Sequence, residues 1–293
     1  MKTLYIDCTN GVCADMFISG FRALGVEAEF MPFDEFEMFL HEMQHHLEDS
    51  HGLGRGEGGH GHSHGGHGGD GHGHPHGDEG HGHSHGGHDH GEAGHEHSHG
   101  AGGHHHSSMS SYQFIKGVIR HLPLPLKVRD IAEKIYKTIA LAEAEVHGAT
   151  LETVHFHEVG RPQAVYNALT VAAQIAAIAP DRIVCSDVHD GCGTIECSHG
   201  VIPVPVPAVR AMMKNCNFNF ITADVETEMV TPSGLGMLIG IGAKPDCKSE
   251  GGCSGEFESG GRPVGSIIAK GTGYGGRDTG RGGMEIYLID EEN

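Results

Sequence analysis

Imidazole side chains at His-x-His spacing are the most chemically distinctive feature of this chain. Imidazole nitrogen binds Ni²⁺, Cu²⁺, Zn²⁺ and Co²⁺, and a backbone rich in glycine lets several imidazoles wrap around one ion without a preformed cage. We therefore predict that this tract captures a transition metal, whose identity the histidines alone leave open. The alternative is a solvating linker that is merely rich in histidine. The predicted ligands are His60, His62, His64, His72, His74, His76, His81, His83, His85, His104, His105 and His106.

A second candidate site follows the tract. His155 and His157 flank one phenylalanine, and Glu158 comes next. In extended backbone alternate side chains point the same way, so both imidazoles can reach one ion. The neighbouring carboxylate can orient a ligand or act as a base. The sequence thus predicts His155 and His157 as metal ligands and Glu158 as a catalytic residue, with a hydrogen-bonded structural loop as the alternative.

Polar residues also lie at the first strand-to-helix connection and at the start of a later helix. Asp7 ends the first strand and Asp15 lies in the first turns of the next helix, a place where α/β proteins often hold ligands. We predict both as catalytic residues, while a simple complement to the helix dipole is the alternative for Asp15. Thr231, Ser233 and Gly234 open a later helix, whose N–H groups suit a phosphate. They are predicted to bind the phosphate of a cofactor, with an ordinary helix start as the alternative.

The elements that position these groups follow from hydrophobic periodicity. Residues 4–6 predict a strand, and apolar residues from Met16 to Leu24 predict a helix with Thr9 or Asn10 as its N-cap and Gly25 at its end. Further helices are predicted at 33–47, 128–146, 162–178, 208–214 and 232–239, a strand at 182–185, and a hairpin from 265–270 and 284–289. The predicted fold class is α/β (mixed α+β), a globular core interrupted by a long disordered His/Gly-rich loop.

Composition supports this division. Among 293 residues there are 19 Lys and Arg against 39 Asp and Glu, a formal charge of −20 with neutral histidine. That balance argues against nucleic-acid binding, which needs clustered basic residues. From about Gly52 to Gly103 the sequence is nearly all Gly, His, Ser, Asp and Glu and cannot bury enough apolar surface to stay ordered. We predict a core from residues 1–50 and 111–293, with the tract at 51–110.

The sequence also predicts a cellular location. No apolar run is long enough for a membrane span, and an acid interrupts the first residues before a signal-peptide core develops. We expect a cytoplasmic protein that does not bind membranes. In that compartment its eight cysteines are expected to remain thiols.

Several segments, taken in order, carry a family resemblance. They are Tyr5-Ile6-Asp7-Cys8 with Asp15-Met16, the His-rich tract, Ala144-Glu145-Val146-His147-Gly148, Val154-His155-Phe156-His157-Glu158-Val159-Gly160, His199-Gly200-Val201-Ile202-Pro203-Val204-Pro205-Val206-Pro207-Ala208, Glu228-Met229-Val230-Thr231-Pro232-Ser233-Gly234 and Gly273-Tyr274-Gly275-Gly276-Arg277-Asp278. Together they resemble the LarC family, the nickel-insertion proteins of nickel-pincer cofactor biosynthesis.

The resemblance implies an enzyme that inserts nickel into pyridinium-3,5-bisthiocarboxylic acid mononucleotide, a nickel chelatase or cyclometallase-type lyase. It implies that sulfur–nickel and carbon–nickel bonds form at the expense of CTP, with Mg²⁺ or Mn²⁺. The resemblance also implies that CTP is bound by a further C-terminal domain, so this chain is expected to match the N-terminal part of the family and to need a partner domain. The His tract would be the nickel reservoir. The sequence leaves open whether the chain forms a homo-oligomer.

Two other functions stay open beside this one. After the His-x-His-Glu loop the family has aspartates, where this chain has Gln163 and Asn167, and an amide is a weaker ligand than a carboxylate for Mg²⁺ or Ni²⁺. A non-catalytic nickel storage or chaperone protein would bind several ions and consume no CTP. A metal-dependent hydrolase using the His-x-His-Glu loop would turn over without the tract.

Overall fold

A computed structural model describes residues 1–28, 30–52, 109–198, 200–246 and 265–291. The predicted tract ligands from His60 to His106 lie outside the described residues. The predicted division of the chain at residues 50 and 110 therefore stays a prediction. The rest of the chain has a mixed α/β architecture, which confirms the predicted fold class of the core.

Within the described residues, five strands form one sheet through the core: β1 (Lys2–Asp7), β2 (Arg182–Cys185), β7 (Lys244–Pro245), β8 (Ser266–Gly273) and β9 (Met284–Asp290). Their order in the sheet is β7-β2-β1-β9-β8. The central strand β1 pairs in parallel with β2 and antiparallel with β9, β7 pairs in parallel with β2, and β8 pairs antiparallel with β9. The strand at residues 182–185 and the closing hairpin are therefore confirmed.

Alternation along β1 divides the apolar residues between the two faces of the sheet. Leu4 and Ile6 are fully buried in the main core with the helices. Tyr5 belongs to a smaller cluster with Val184, Tyr287 and Ile289. This is the two-residue period of a strand that is covered on both faces.

Seven α-helices and one 3₁₀ turn are present in the described ranges. They are α1 (Ala14–Ala23), α2 (Phe33–Gly52), α3 (Tyr112–His121), α4 (Leu126–His147), the 3₁₀ turn (Glu158–Gly160), α5 (Pro162–Ile178), α6 (Pro207–Met213) and α7 (Pro232–Gly240). Outside the main sheet, β3 (Val188–Asp190) pairs with β6 (Phe220–Thr222), and β4 (Thr194–Cys197) forms a hairpin with β5 (Gly200–Pro203).

Helix α4 is central, and α7 lies directly against it. A Cβ at Gly236 would come within 2.4 Å of the Ile139 side chain, and one at Gly240 within 2.6 Å of the Ile135 backbone. Only glycine permits this separation, so the two small residues fix how closely the helices approach. The last turn of α4 and the first turn of α7 consequently remain near one another.

One predicted helix cap is wrong. The N-cap of α1 is Cys13, not Thr9 or Asn10. Those two residues belong to a turn after β1: Thr9 donates to Asp7, and the amide of Asn10 donates to the Gly283 carbonyl at 2.9 Å. The helix begins later because this turn and Val12 intervene. Its apolar face and its end at Gly25, with φ of 82°, are as predicted.

None of the helices in these described ranges combines the length and apolar character needed to span a membrane.

Candidate functional site

A cavity of about 410 Å³ opens where the ends of several helices meet. The last turn of α4 forms one wall, and the first residues of α1, α6 and α7 form another. The 3₁₀ turn and the β4–β5 hairpin also contribute. A helix N-terminus carries partial positive charge and a C-terminus partial negative charge. The cavity therefore offers one wall suited to anions and another suited to cations.

The start of α1 brings Cys13 and Asp15 to the cavity. Burial raises the pKa of the Cys13 thiol, and backbone N–H groups of Met16 and Asp15 oppose that shift. Asp15 is exposed in the first helical turn. Asp7 does not line the cavity, because its Oδ1 accepts bonds from the Thr9 N–H (3.0 Å) and hydroxyl (2.7 Å) and closes a turn. The structure thus places one of the two predicted carboxylates at the cavity.

The start of α7 brings Thr231 and Ser233 to the same cavity. The helix starts where predicted, with Thr231 as its N-cap, and the Thr231 hydroxyl accepts a hydrogen bond from the Gly234 N–H at 3.1 Å. Gly234 itself is buried beneath the cavity wall. A Cβ there would lie 2.3 Å from the Val12 carbonyl oxygen and 2.5 Å from the Cys13 Cα. Gly234 therefore sets how closely α7 approaches α1.

Backbone hydrogen bonds join the two helix starts. The Val12 N–H donates to the Met229 carbonyl at 2.9 Å, and the Thr231 N–H donates to the Val12 carbonyl at 3.1 Å. This short parallel bridge between Val12 and Val230 is here called the seam. It gives the predicted sites around Asp15 and Thr231 one shared scaffold.

A buried carboxylate supports the seam. Asp190 is 2% exposed, and its Oδ1 accepts bonds from the N–H groups of Gly191 (2.8 Å), Met229 (3.0 Å) and Val230 (2.9 Å). Burial raises the pKa of Asp190, and these three bonds act in the opposite direction. The carboxylate fixes the residues just before α7, which is a structural contribution that the sequence did not suggest.

The His-x-His-Glu loop is divided by its own backbone. His157 and Glu158 line the cavity, whereas His155 does not and instead pairs through its backbone with Ser111. Phe156 between them is buried and anchors the loop in the core. The prediction that both imidazoles point at one ion assumed that the backbone is extended throughout the loop. The extended backbone ends at His157, which has φ of −93° and ψ of −91°.

A histidine absent from the predicted set lies beside His157. The rings of His147 and His157 have centroids 5.4 Å apart. His147 Nε2 is 3.3 Å from Glu143 Oε2 one turn earlier on α4, and all three residues line the cavity. The i, i+4 spacing of a glutamate and a histidine before Gly148 was the available signal, but only the tertiary structure shows what it faces.

Glu228 and Arg277 form an ion pair at the cavity, with Oε2 and Nη2 3.2 Å apart. The Glu228 side chain is 5% exposed. Burial raises its pKa to about 7, Arg277 lowers it, and the charges of Asp190 and Glu158 raise it. Both residues fall in segments that carried the family resemblance, yet neither was singled out, because their meeting depends on the closing hairpin.

The two amides that stand in place of acids interact with each other. Gln163 Nε2 donates to Asn167 Oδ1 at 2.7 Å, and Asn167 lines the cavity. This part of the wall is neutral.

No group of three or more His, Cys, Asp or Glu side chains within the described ranges could hold a metal ion as they stand. The free thiols in those ranges are Cys8, Cys13, Cys185, Cys192, Cys197 and Cys216, while Cys247 and Cys253 lie outside them.

The structure is that of a mixed α/β protein with a cavity at the ends of several helices. The sequence pattern described as "Nickel insertion protein" matches residues 4–251. The chain belongs to the nickel insertion protein family.

Three relatives are named pyridinium-3,5-bisthiocarboxylic acid mononucleotide nickel insertion protein. The one from Clostridium kluyveri is 33% identical over 238 residues, covering 81% of this chain and 53% of the relative. The one from Acetivibrio thermocellus is 43% identical over 130 residues, 44% of this chain and 32% of the relative. The one from Alkaliphilus metalliredigens is 35% identical over 114 residues, 39% of this chain and 27% of the relative. The chain thus spans between about a quarter and about half of these relatives. No solved structure matches it.

Proposed function

We propose that this chain binds nickel and pyridinium-3,5-bisthiocarboxylic acid mononucleotide in the cavity at the helix ends and inserts the metal there. The observation that carries the proposal is that two kinds of groups line one cavity. Helix starts and Arg277 can bind anions, whereas a helix end with imidazole and carboxylate groups can bind a cation. The substrate is taken from the names of the relatives. The phosphate and thiocarboxylates of this substrate are anions, and the nickel ion to be inserted is a cation.

The phosphate is assigned to the start of α7. Thr231, Ser233 and Arg277 all line the cavity. A helix N-terminus stabilises an anion through its unpaired N–H groups and its dipole. Gly234 contributes by holding the helix start against α1, since any larger residue would push the two apart.

Glu158 and Asp15 are the proposed catalytic carboxylates, because both line the cavity. They can hold or move protons as the metal exchanges its water for the substrate. Asp7 is proposed to act indirectly, by closing the turn that leads to α1. Among the predicted metal ligands of the loop, His157 has direct access to the cavity.

Nickel delivery and energy supply complete the proposal. The imidazoles between His60 and His106 would capture nickel and release it to the cavity, since closely spaced nitrogen ligands in a glycine-rich sequence can bind an ion without a rigid cage. CTP, with Mg²⁺ or Mn²⁺, would be used by a separate C-terminal domain. This chain matches 32% and 53% of the length of two of the relatives.

The test is to incubate the full chain with Ni²⁺, the mononucleotide, CTP and Mg²⁺ or Mn²⁺, with and without the C-terminal domain of a relative. Mass spectrometry of the small molecules should show the nickel adduct, and CTP should be consumed, when the domain is present. If no adduct forms in either arm, the insertion activity is excluded.

A nickel storage or chaperone protein is the second candidate, favoured by the neutral Gln163–Asn167 pair at the cavity. It predicts several loosely bound Ni²⁺ ions per chain, lost on deletion of residues 52–106, with CTP untouched. Measuring CTP in the same incubation separates the two functions, because only insertion consumes it.

A further inference from the structure

The paired imidazoles of His147 and His157 are held by two different elements. His147 lies in the last turn of α4, which ends at Gly148 with φ of 62°. His157 immediately precedes the 3₁₀ turn, and the buried Phe156 anchors the loop through its N–H, which donates to the Ser110 carbonyl at 2.8 Å. The relative position of the rings is therefore fixed by the fold and not by one flexible segment.

The separation of the two rings fits one shared ion. A metal about 2 Å from an imidazole nitrogen lies roughly 3.2 Å from the ring centroid, so two rings on one ion have centroids roughly 4.5–6.4 Å apart for ligand angles from 90° to 180°. The observed separation is 5.4 Å, with a ring tilt of 51°. Both rings border the same cavity, so an ion between them would face a bound substrate.

Glu143 supplies the usual support for a metal-binding histidine. Its Oε2 is 3.3 Å from His147 Nε2, and its side chain is 12% exposed. Histidines that bind metals commonly donate one ring N–H to a carboxylate, which fixes the tautomer and makes the other nitrogen a better ligand. One turn of α4 thus combines an imidazole with the group that orients it.

We propose that His147 and His157 together form the seat for nickel in the cavity, with Glu143 as a positioning residue, and that His155 is not a ligand. This rests on the proposed function, because it assigns where the inserted metal is held. Imidazole suits Ni²⁺, and two protein ligands leave coordination positions for the sulfur atoms of the substrate. His155 is excluded because it pairs with Ser111 and does not reach the cavity wall.

The experiment is histidine footprinting of the full chain with diethyl pyrocarbonate, resolved residue by residue by tandem mass spectrometry. Ni²⁺ is titrated to excess over all 28 histidines, so the tract cannot mask the cavity. His147 and His157 should become protected together, with one midpoint. His121, an exposed histidine of α3, and His155 report general modification. The same titration with Mg²⁺ should protect none of these four.

Variants test whether the two histidines share the ion. His157→Ala should abolish protection of His147, and His147→Ala should abolish that of His157, whereas His155→Ala should leave both unchanged. Glu143→Gln should move the midpoint to about tenfold higher nickel. Its matched control is Glu145→Gln on the same helix, where the carboxylate pairs with Lys214 instead, and the midpoint should not move.

Separate midpoints for His147 and His157, or joint protection of His155 and His157, would overturn the proposal. Circular dichroism of each variant confirms that it is folded, so a lost signal reports the ion. Footprinting needs neither CTP nor turnover. A chain that holds nickel at this pair but makes no adduct would refute the insertion function while leaving the seat intact, and the reverse result would refute only the seat.

Discussion

Two cavities of similar size show what makes one of them a candidate site. The first, of about 410 Å³, lies at the converging helix ends, and the second, of about 450 Å³, lies along α3 and α4. The second is lined mainly by solvated charges such as Arg120 and Glu133, which pair at 2.8 Å with side chains 56% and 29% exposed. In the first, Glu228 is 5% exposed beside Arg277. Volume alone therefore says little, whereas buried charge at converging backbone termini indicates function.

The largest difference is expected when a glycine near each cavity is replaced by alanine. Gly234→Ala should destabilise the protein by about 3 kcal/mol, because its Cβ would overlap the Val12 carbonyl. Gly117→Ala on α3 has open space around its Cβ and should stabilise by up to about 1 kcal/mol. Urea unfolding of both variants provides the measurement. Equal effects would mean that the seam is not tightly packed.

Next in size is a pH effect confined to the first cavity. The pKa of Glu228 is about 7 in the folded protein, above the ordinary value of a glutamate in the unfolded chain. The folded state therefore holds the proton more tightly. It loses stability as the pH rises from that ordinary value to about 7. Relative to Glu228→Gln, the unmodified chain should lose about 2 kcal/mol between pH 5 and pH 8.

Glu133→Gln at the second cavity is the matched control, and its unfolding free energy should follow that of the unmodified chain across the same range. Urea titrations at four pH values suffice. Parallel curves for Glu228→Gln and the unmodified chain would show that burial does not raise the pKa of Glu228.

An affinity difference of about tenfold is expected for the two arginines. Arg277→Met should weaken binding of the mononucleotide by about that factor, because a charge-assisted bond to an anion is lost. Arg120→Met removes an equally exposed cation from the second cavity and should leave affinity unchanged. Calorimetric titration with the mononucleotide measures both, and equal losses would indicate only a general effect of net charge.

The smallest contrast compares two helix caps. Ser111 caps α3, the helix that borders the second cavity, and Thr231 caps α7 at the first cavity. Each hydroxyl accepts a hydrogen bond at 3.1 Å from the N–H three residues later. Ser111→Ala and Thr231→Ala should each cost about 1 kcal/mol of stability. Only Thr231→Ala should also reduce affinity for the mononucleotide. A ligand effect in both variants would contradict the assignment of the phosphate to α7.

Local signals in the sequence predicted much of the fold. They could not predict which distant residues come together at the cavity. The end of α1 at Gly25 and the start of α7 at Thr231 are decided by neighbouring residues, and both predictions are confirmed. The pairing of His147 with His157, or of Glu228 with Arg277, depends on elements far apart in the chain. The cap at Cys13 was missed because the turn after β1 is closed by contacts with Gly283, 273 residues away.

The seam also has a consequence for anyone who wishes to reshape this protein. The starts of α1 and α7 share backbone hydrogen bonds through Val12. A loop grafted at one helix start would therefore also shift the backbone of the other. The rim of the pocket can be re-engineered only as a unit, whereas side chains that project from the far end of α4 can be exchanged one at a time.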